Sequence, residues 1–282
     1  MKNILKVMEE DWDLRAETNA LVYANSSRKH WELNEFFAQG EKEVDLIIKD
    51  VVTVWGSVPK DKRMLEIGCG VGRQTRAFSK MFAEVYAIDV SNVMIAKAKQ
   101  LNSDLKNVKF IKTNGQDFKN FSDNYFDFVY SQGTFEHISD KRVISSYFRE
   151  IHRGLKIGGL FKIQLATHSN NKGWYFASGF IPVPVFIMNY LPFWLAKMPI
   201  ELVKILEFLY TKVSHILSKV SGVPPFVGSI VTAVAVPPTN AQITQMIQNS
   251  NLTILELFQE EWLGEVLGRK YVVTWCLGQK EC

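Results

Sequence analysis

Three glycines alternate in Glu66-Ile67-Gly68-Cys69-Gly70-Val71-Gly72, and a carboxylate, Glu66, precedes them. Glycine lets the backbone approach a ligand closely, and a helix starting after such a turn offers it unpaired N–H groups. Any nucleotide would suit that combination, but the spacing narrows the choice. The dinucleotide fingerprint G-x-G-x-x-G needs glycine where Arg73 stands. A carboxylate two residues ahead of the first glycine suits a ligand that carries an ammonium. Asp89 ends the next apolar run, 21 residues after Gly68, where a carboxylate accepts hydrogen bonds from both ribose hydroxyls. A plain turn is the bland reading of each glycine, and a strand-end cap that of Asp89. Taken together, in this order, they read as a ligand site.

The segments that must position these residues alternate. Met64–Ile67 reads as a strand, Gly72–Phe82 as a helix and Val85–Ile88 as a strand. Ser91–Leu101 follows as a helix capped by Ser91, then Val108–Ile111 and Phe126–Tyr130 as strands. Asp140–Leu155 reads as a helix and Gly159–Leu165 as a strand. Near the end come a helix at Thr239–Ser250 and strands at Leu252–Leu257 and Tyr271–Leu277. This cadence means an α/β, doubly wound sheet, parallel through right-handed crossovers, with its ligand at the carboxyl ends of the strands. Residues 1–58 read as a helical cap, 59–168 and 237–282 as the core, and 169–236 as an insertion.

Met64–Thr75 resembles the first motif of class I S-adenosylmethionine (SAM)-dependent methyltransferases, and Val85–Ser91 with Met94 the ribose-binding motif after it. Asn114-Gly115-Gln116-Asp117-Phe118, Phe126–Ser131, Phe135-Glu136-His137-Ile138 and Leu155-Lys156-Ile157-Gly158-Gly159 follow in the family's order, with Ile157 in place of the usual proline. The stretch from Asp11 through Trp12, Tyr23 and Trp31 to Phe37 is similar to the cap of a bacterial small-molecule branch. The resemblance implies a Rossmann-like, mostly parallel seven-stranded sheet with SAM as cofactor. It implies that Gly68, Cys69, Gly70 and Gly72 line the methionine moiety, that Glu66 orients it and that Asp89 holds the ribose. Val90 and Met94 would pack near the adenine, Gly115, Gln116 and Asp117 would lie at its edge, and Ser131 would offer its backbone to the amino group.

Methyl transfer is an in-line displacement, so positioning dominates, and a base is needed only if the nucleophile must lose a proton. His137 and His168 follow the fourth and fifth strands and are the candidate bases. A structural role for His137 and a surface place for His168 are equally open. His152, beside Arg153, reads as a surface helix residue, and His30 lies near Trp31 in the cap. Some quinone O-methyltransferases hold a divalent metal with Glu-x-x-Glu-His. Gly133 stands where the first acid would be, so no metal is expected.

The insertion bears on the acceptor. Gly173–Ala196 has no charged residue and is rich in aromatics, while Pro182, Pro184 and Pro192 argue against a simple membrane span. Beyond it, Leu202, Ile205, Leu206, Leu209, Val213 and Ile216 line one face of an amphipathic helix. The insertion reads as a helical lid over an apolar pocket, as an interfacial segment touching a membrane through 173–220, or as a subdomain or dimer contact that buries its own face.

The remaining numbers set bounds. A chain of 282 residues with 47% hydrophobic and 22% charged content is globular. The net charge of +4 comes from scattered lysines, with no basic stripe interleaved with aromatics, so nucleic acid is not expected. Cys69, Cys276 and Cys282 have no metal-ligand spacing and read as reduced thiols. Met1–Arg15 lacks an apolar core of signal-peptide length, so a cytoplasmic, at most membrane-peripheral, protein is expected, as monomer or homodimer. The expected reaction is methyl transfer to a small hydrophobic acceptor, O- before C- or N-methylation. The alternatives are a nicotinamide-dependent oxidoreductase and a catalytically silent SAM-binding, membrane-associated protein.

Overall fold

The computed structural model describes residues 2–28, 30–57, 59–138, 140–166, 174–177, 181–184, 238–264 and 269–281. Two helices, α1 (Lys2–Ala24) and α2 (Leu33–Trp55), precede β1 (Arg63–Ile67), α3 (Arg73–Phe78), β2 (Glu84–Asp89), α4 (Asn92–Leu101), β3 (Val108–Lys112) and β4 (Phe126–Ser131). A 3-10 turn at Phe135–His137 leads to α5 (Lys141–Gly154) and β5 (Leu155–Ala166). After β6 (Trp174–Ala177) and β7 (Ile181–Pro184) come α6 (Asn240–Gln248), β8 (Thr253–Gly264) and β9 (Arg269–Gln279). The main sheet has seven strands in the order β3-β2-β1-β4-β5-β9-β8. β1 to β5 pair in parallel, and β9 pairs antiparallel with β5 and β8. The winding reverses between β1 and β4, the switch point at which such sheets bind ligands.

Strand side chains alternate between two faces, and each face is covered. Leu65, Ile67, Val129, Phe161 and Ile163 pack under Phe148 and Ile151 of α5 and Ile243 of α6. Met64, Phe128, Tyr130 and Leu160 face Val44, Ile48 and Val51 of α2 and Phe78 of α3. Each such aliphatic side chain, fully buried, contributes roughly 1.5–3 kcal/mol. The expected caps form: Ser91 accepts from Met94 N, and Thr239 forms a capping box with Gln242.

Three expectations need correction. α3 runs only from Arg73 to Phe78: Gly72 has left-handed geometry (φ 83°) and caps the helix instead of entering it, and past Phe78 the bonds tighten to turns, Lys80 N to Ala77 O and Met81 N to Phe78 O. β5 starts at Leu155, where a helix end and a turn were expected. A bulge opposite Phe126–Phe128 absorbs the extra residues, with Gly158 at φ 78°. Within the insertion, expected to be helical, Trp174–Ala177 and Ile181–Pro184 form an antiparallel two-stranded sheet. Pro182 and Pro184 cannot serve a helix interior, and an edge strand tolerates their missing N–H. The remainder of 169–236, including the expected amphipathic helix, lies outside the described residues. No described helix is long and apolar enough to cross a membrane.

Candidate active site

The chain leaves β1 through three left-handed glycines, with φ of 76° at Gly68, 52° at Gly70 and 83° at Gly72. The turn is tied to β2: Gly68 N and Cys69 N both donate to Ile88 O, at 2.8 and 3.0 Å. A Cβ on Gly68 would lie 1.9 Å from Thr134 Oγ1, so any side chain there must displace Thr134. Cys69 is a buried free thiol, which burial holds well above its ordinary pKa.

Glu66 lies beneath the turn, 3% exposed, and accepts from Thr75 Oγ1 at 2.5 Å. Burial pushes its carboxyl up to about 7; Asp89 adds to the rise, and Thr75 and Arg73 oppose it. A buried carboxyl poised near neutrality suits a cation arriving as ligand. An ammonium there favours the ionised form, so cofactor affinity should rise between roughly pH 6 and pH 8. Glu66→Gln should flatten that rise; a wild-type dissociation constant, measured by calorimetry, that does not change across this range would contradict the assignment. For the unliganded protein the sign is opposite. A carboxyl raised above its ordinary 4.5 contributes its full stability below that pH and loses it as the pH rises through about 7.

Asp89 ends β2 with both carboxylate oxygens engaged: Oδ2 accepts from Gly70 N and Oδ1 from Ser91 N, each at 2.9 Å. Each oxygen keeps a further lone pair, enough for two ribose hydroxyls. After β3, Asn114 Oδ1 accepts from Gln116 N and Asp117 N, and Asn114 Nδ2 donates to Asp117 Oδ1 at 3.1 Å. This turn, with Gly115 left-handed beside Val90, forms the third part of the site. Glycine turn, Asp89 and Asn114–Asp117 thus lie in the strand order β1, β2, β3, on one side of the switch point, with the ends of β4 and β5 on the other.

α1 closes over these groups. Met8 packs against Gly115, Ala24 lies beside Gly70, and Asp13 Oδ1 accepts from Ser91 Oγ at 2.5 Å and Val93 N at 3.1 Å. Met94, expected near the adenine, is buried in a cluster with Ala16, Trp31 and Val71. α1 breaks at Asn19, whose Oδ1 accepts from Val22 N and so caps the short second segment.

At the end of β4, Ser131 is wholly buried and its Oγ donates to Ile67 O at 2.8 Å, which locks β4 to the turn. Residues that sequence reasoning missed gather next to it. Gln74 Nε2 donates to Glu43 Oε2 at 2.8 Å and also to Gln132 Oε1, which accepts from Tyr130 OH at 2.8 Å. Arg73 pairs with Glu43 at 2.8 Å. Gln164 Oε1 accepts from Gly133 N at 3.0 Å, while Gln164 Nε2 and Arg73 Nη1 are buried without a partner. The strand-end rule could have flagged Gln132 and Gln164, but no local signal marks Glu43.

His137 does not stand free at the strand end. Trp12 meets its ring edge-on at 5.1 Å, and Arg15 stacks on Trp12 at 4.7 Å. Burial and the Arg15 charge push the imidazole well below its ordinary pKa, although 34% of the side chain stays exposed. It is therefore neutral at physiological pH and can accept a proton, but a depressed pKa makes it a weak base. Neighbouring Glu136, 3.4 Å away, is raised by burial. His168 lies outside the described residues.

Residues 65–163 match a family described as a methyltransferase domain. Phosphoethanolamine N-methyltransferase 2 of Caenorhabditis elegans is 32% identical over 126 residues, 44% of this chain and 28% of that protein. Malonyl-(acyl-carrier protein) O-methyltransferase of Bacillus anthracis is 36% identical over 93 residues, 32% and 33% of the two chains. The matches thus span a third or less of these two relatives' own length. Magnesium protoporphyrin IX methyltransferase of Synechocystis PCC 6803, solved with bound S-adenosylhomocysteine (SAH), superposes with a TM-score of 0.57. That likeness covers 98% of this chain and 99% of the other at 12% identity, and it speaks for the fold.

Proposed function

We infer, from the match of residues 65–163 to a family described as a methyltransferase domain, that the protein transfers a methyl group from SAM to a small hydrophobic acceptor. The observation that carries this reading is the pairing of a buried Glu66, its carboxyl pushed up to about 7, beneath the glycine turn with Asp89 at the next strand end. One group suits an ammonium and the other a pair of ribose hydroxyls. The orphaned donors of Arg73 and Gln164 fit a ligand that brings oxygens. When bound, the cofactor supplies an electrophilic methyl.

The residues of this chain do the rest. Asp89 and the Asn114–Asp117 turn fix the adenosine, and Glu66 orients the amino-acid end. The strand order then directs the methyl toward β4 and β5. α1 covers the site and excludes water. Transfer needs no group of higher basicity than a neutral imidazole when the acceptor is acidic enough, and His137 or His168 would take the proton of an oxygen acceptor. The uncharged, aromatic run Gly173–Ala196 supports an apolar acceptor body.

An amine acceptor is the second reading, favoured by the similarity to an N-methyltransferase. Methyl-labelled SAM offered with apolar phenols and carboxylic acids, and separately with apolar amines, tests both. Label on the oxygen acceptors is the expected result. Label on amines alone would overturn O-methylation, and SAH formation with none of these acceptors would count against an apolar acceptor of either kind.

A further inference from the structure

We propose that Arg73 binds the α-carboxylate of the cofactor's methionine end, opposite Glu66, so that the site reads both charges of the amino-acid zwitterion. The inference rests on the SAM reading and adds a residue to it.

Arg73 is the first residue of α3, directly after the glycine turn. Its side chain reaches α2, where it meets Glu43 and lies over the Phe36 ring. The side chain is 11% exposed, with its guanidinium 5.7 Å from the ring of Phe36 and its stem held against Gly40. A side chain at position 40 would collide with it, since a Cβ there lies 2.9 Å from Arg73 Cγ and 2.6 Å from Arg73 O. Only one prong of the fork is used: Nη2 meets Glu43 Oε2 at 2.8 Å, an oxygen that also accepts from Gln74. Nη1 is buried with no partner.

Burying a charged donor unpaired is costly, and such a group in a folded protein calls for an explanation. A planar guanidinium with a free prong matches a carboxylate by charge-assisted hydrogen bonding. The positive charge of Arg73 opposes the rise of the Glu66 carboxyl pKa, so the two groups feel each other's charge across the turn. An amino acid's ammonium and carboxylate share one carbon. A buried carboxyl and a buried, half-used guanidinium that feel each other's charge are the complementary pair.

The test is calorimetric, with three probes: SAH, decarboxylated SAH and 5′-methylthioadenosine, which lacks the amino-acid carbons. Wild-type protein should bind decarboxylated SAH at least tenfold more weakly than SAH. Arg73→Met should weaken SAH binding at least tenfold and leave the other two probes within about twofold. Wild-type protein that binds SAH and decarboxylated SAH equally would overturn the role. So would Arg73→Met that leaves SAH binding unchanged or weakens all three probes alike. Should Arg73→Met fail to fold, the wild-type comparison decides alone. Wild-type binding of none of the three would overturn the SAM reading together with this one.

Discussion

Asp89→Ala should weaken SAH binding at least tenfold, about 1.4 kcal/mol, and lower stability as well. The first effect follows from losing the acceptors for the ribose hydroxyls. The second comes from the other half of the carboxylate's work. Gly70 N and Ser91 N both donate to Asp89, and alanine would strand both donors in a buried place. An unsatisfied buried donor costs roughly 1–3 kcal/mol. Asp89→Asn keeps one oxygen and should fall between the two. Calorimetry and a thermal melt read both effects. An unchanged dissociation constant in Asp89→Ala would show that the ribose is held elsewhere.

Gly68→Ala should act on the fold itself. Left-handed geometry costs a non-glycine residue about 1–2 kcal/mol, and Gly68 stands at φ 76°. The new Cβ would lie 1.9 Å from Thr134 Oγ1 and 2.8 Å from Thr134 Cβ, so Thr134 and the chain around it must shift. Crowding of that kind adds about 1–3 kcal/mol. The total, about 3 kcal/mol, corresponds to a fall in Tm of roughly 6–12 °C. Thr134 Oγ1 also donates to Ile67 O at 3.2 Å, so its displacement loosens the strand that leads into the turn. Thr134→Gly in the same chain should recover the steric part and leave the backbone part. An alanine at 68 that melts with the wild type would contradict the geometry of the turn.

Local signals foretold much of this fold. The alternating apolar runs gave the parallel strands and their crossovers, and Ser91 and Thr239 cap the helices expected of them. The glycines and Asp89 are separated in sequence yet joined by the parallel pairing of β1 with β2, which that cadence implies. The limits lie where partners come from distant segments. Gln74 meets Gln132 across 58 residues and Glu43 across 31, and no period or motif links them. His137 looks like a free base until Trp12 and Arg15 of α1 are set against it, and its proton affinity then falls. β6 and β7 were hidden for the same reason, since hydrophobic runs of that length suit either helix or strand until a pairing partner is known.

The central claim is that the glycine turn, Glu66 and Asp89 form a SAM site and not a dinucleotide site. Titration of the wild-type protein with SAH and, separately, with NADH tests it most directly. Saturable binding of SAH at one equivalent, with no heat from NADH, is the predicted result. Saturable NADH binding with none for SAH would contradict it.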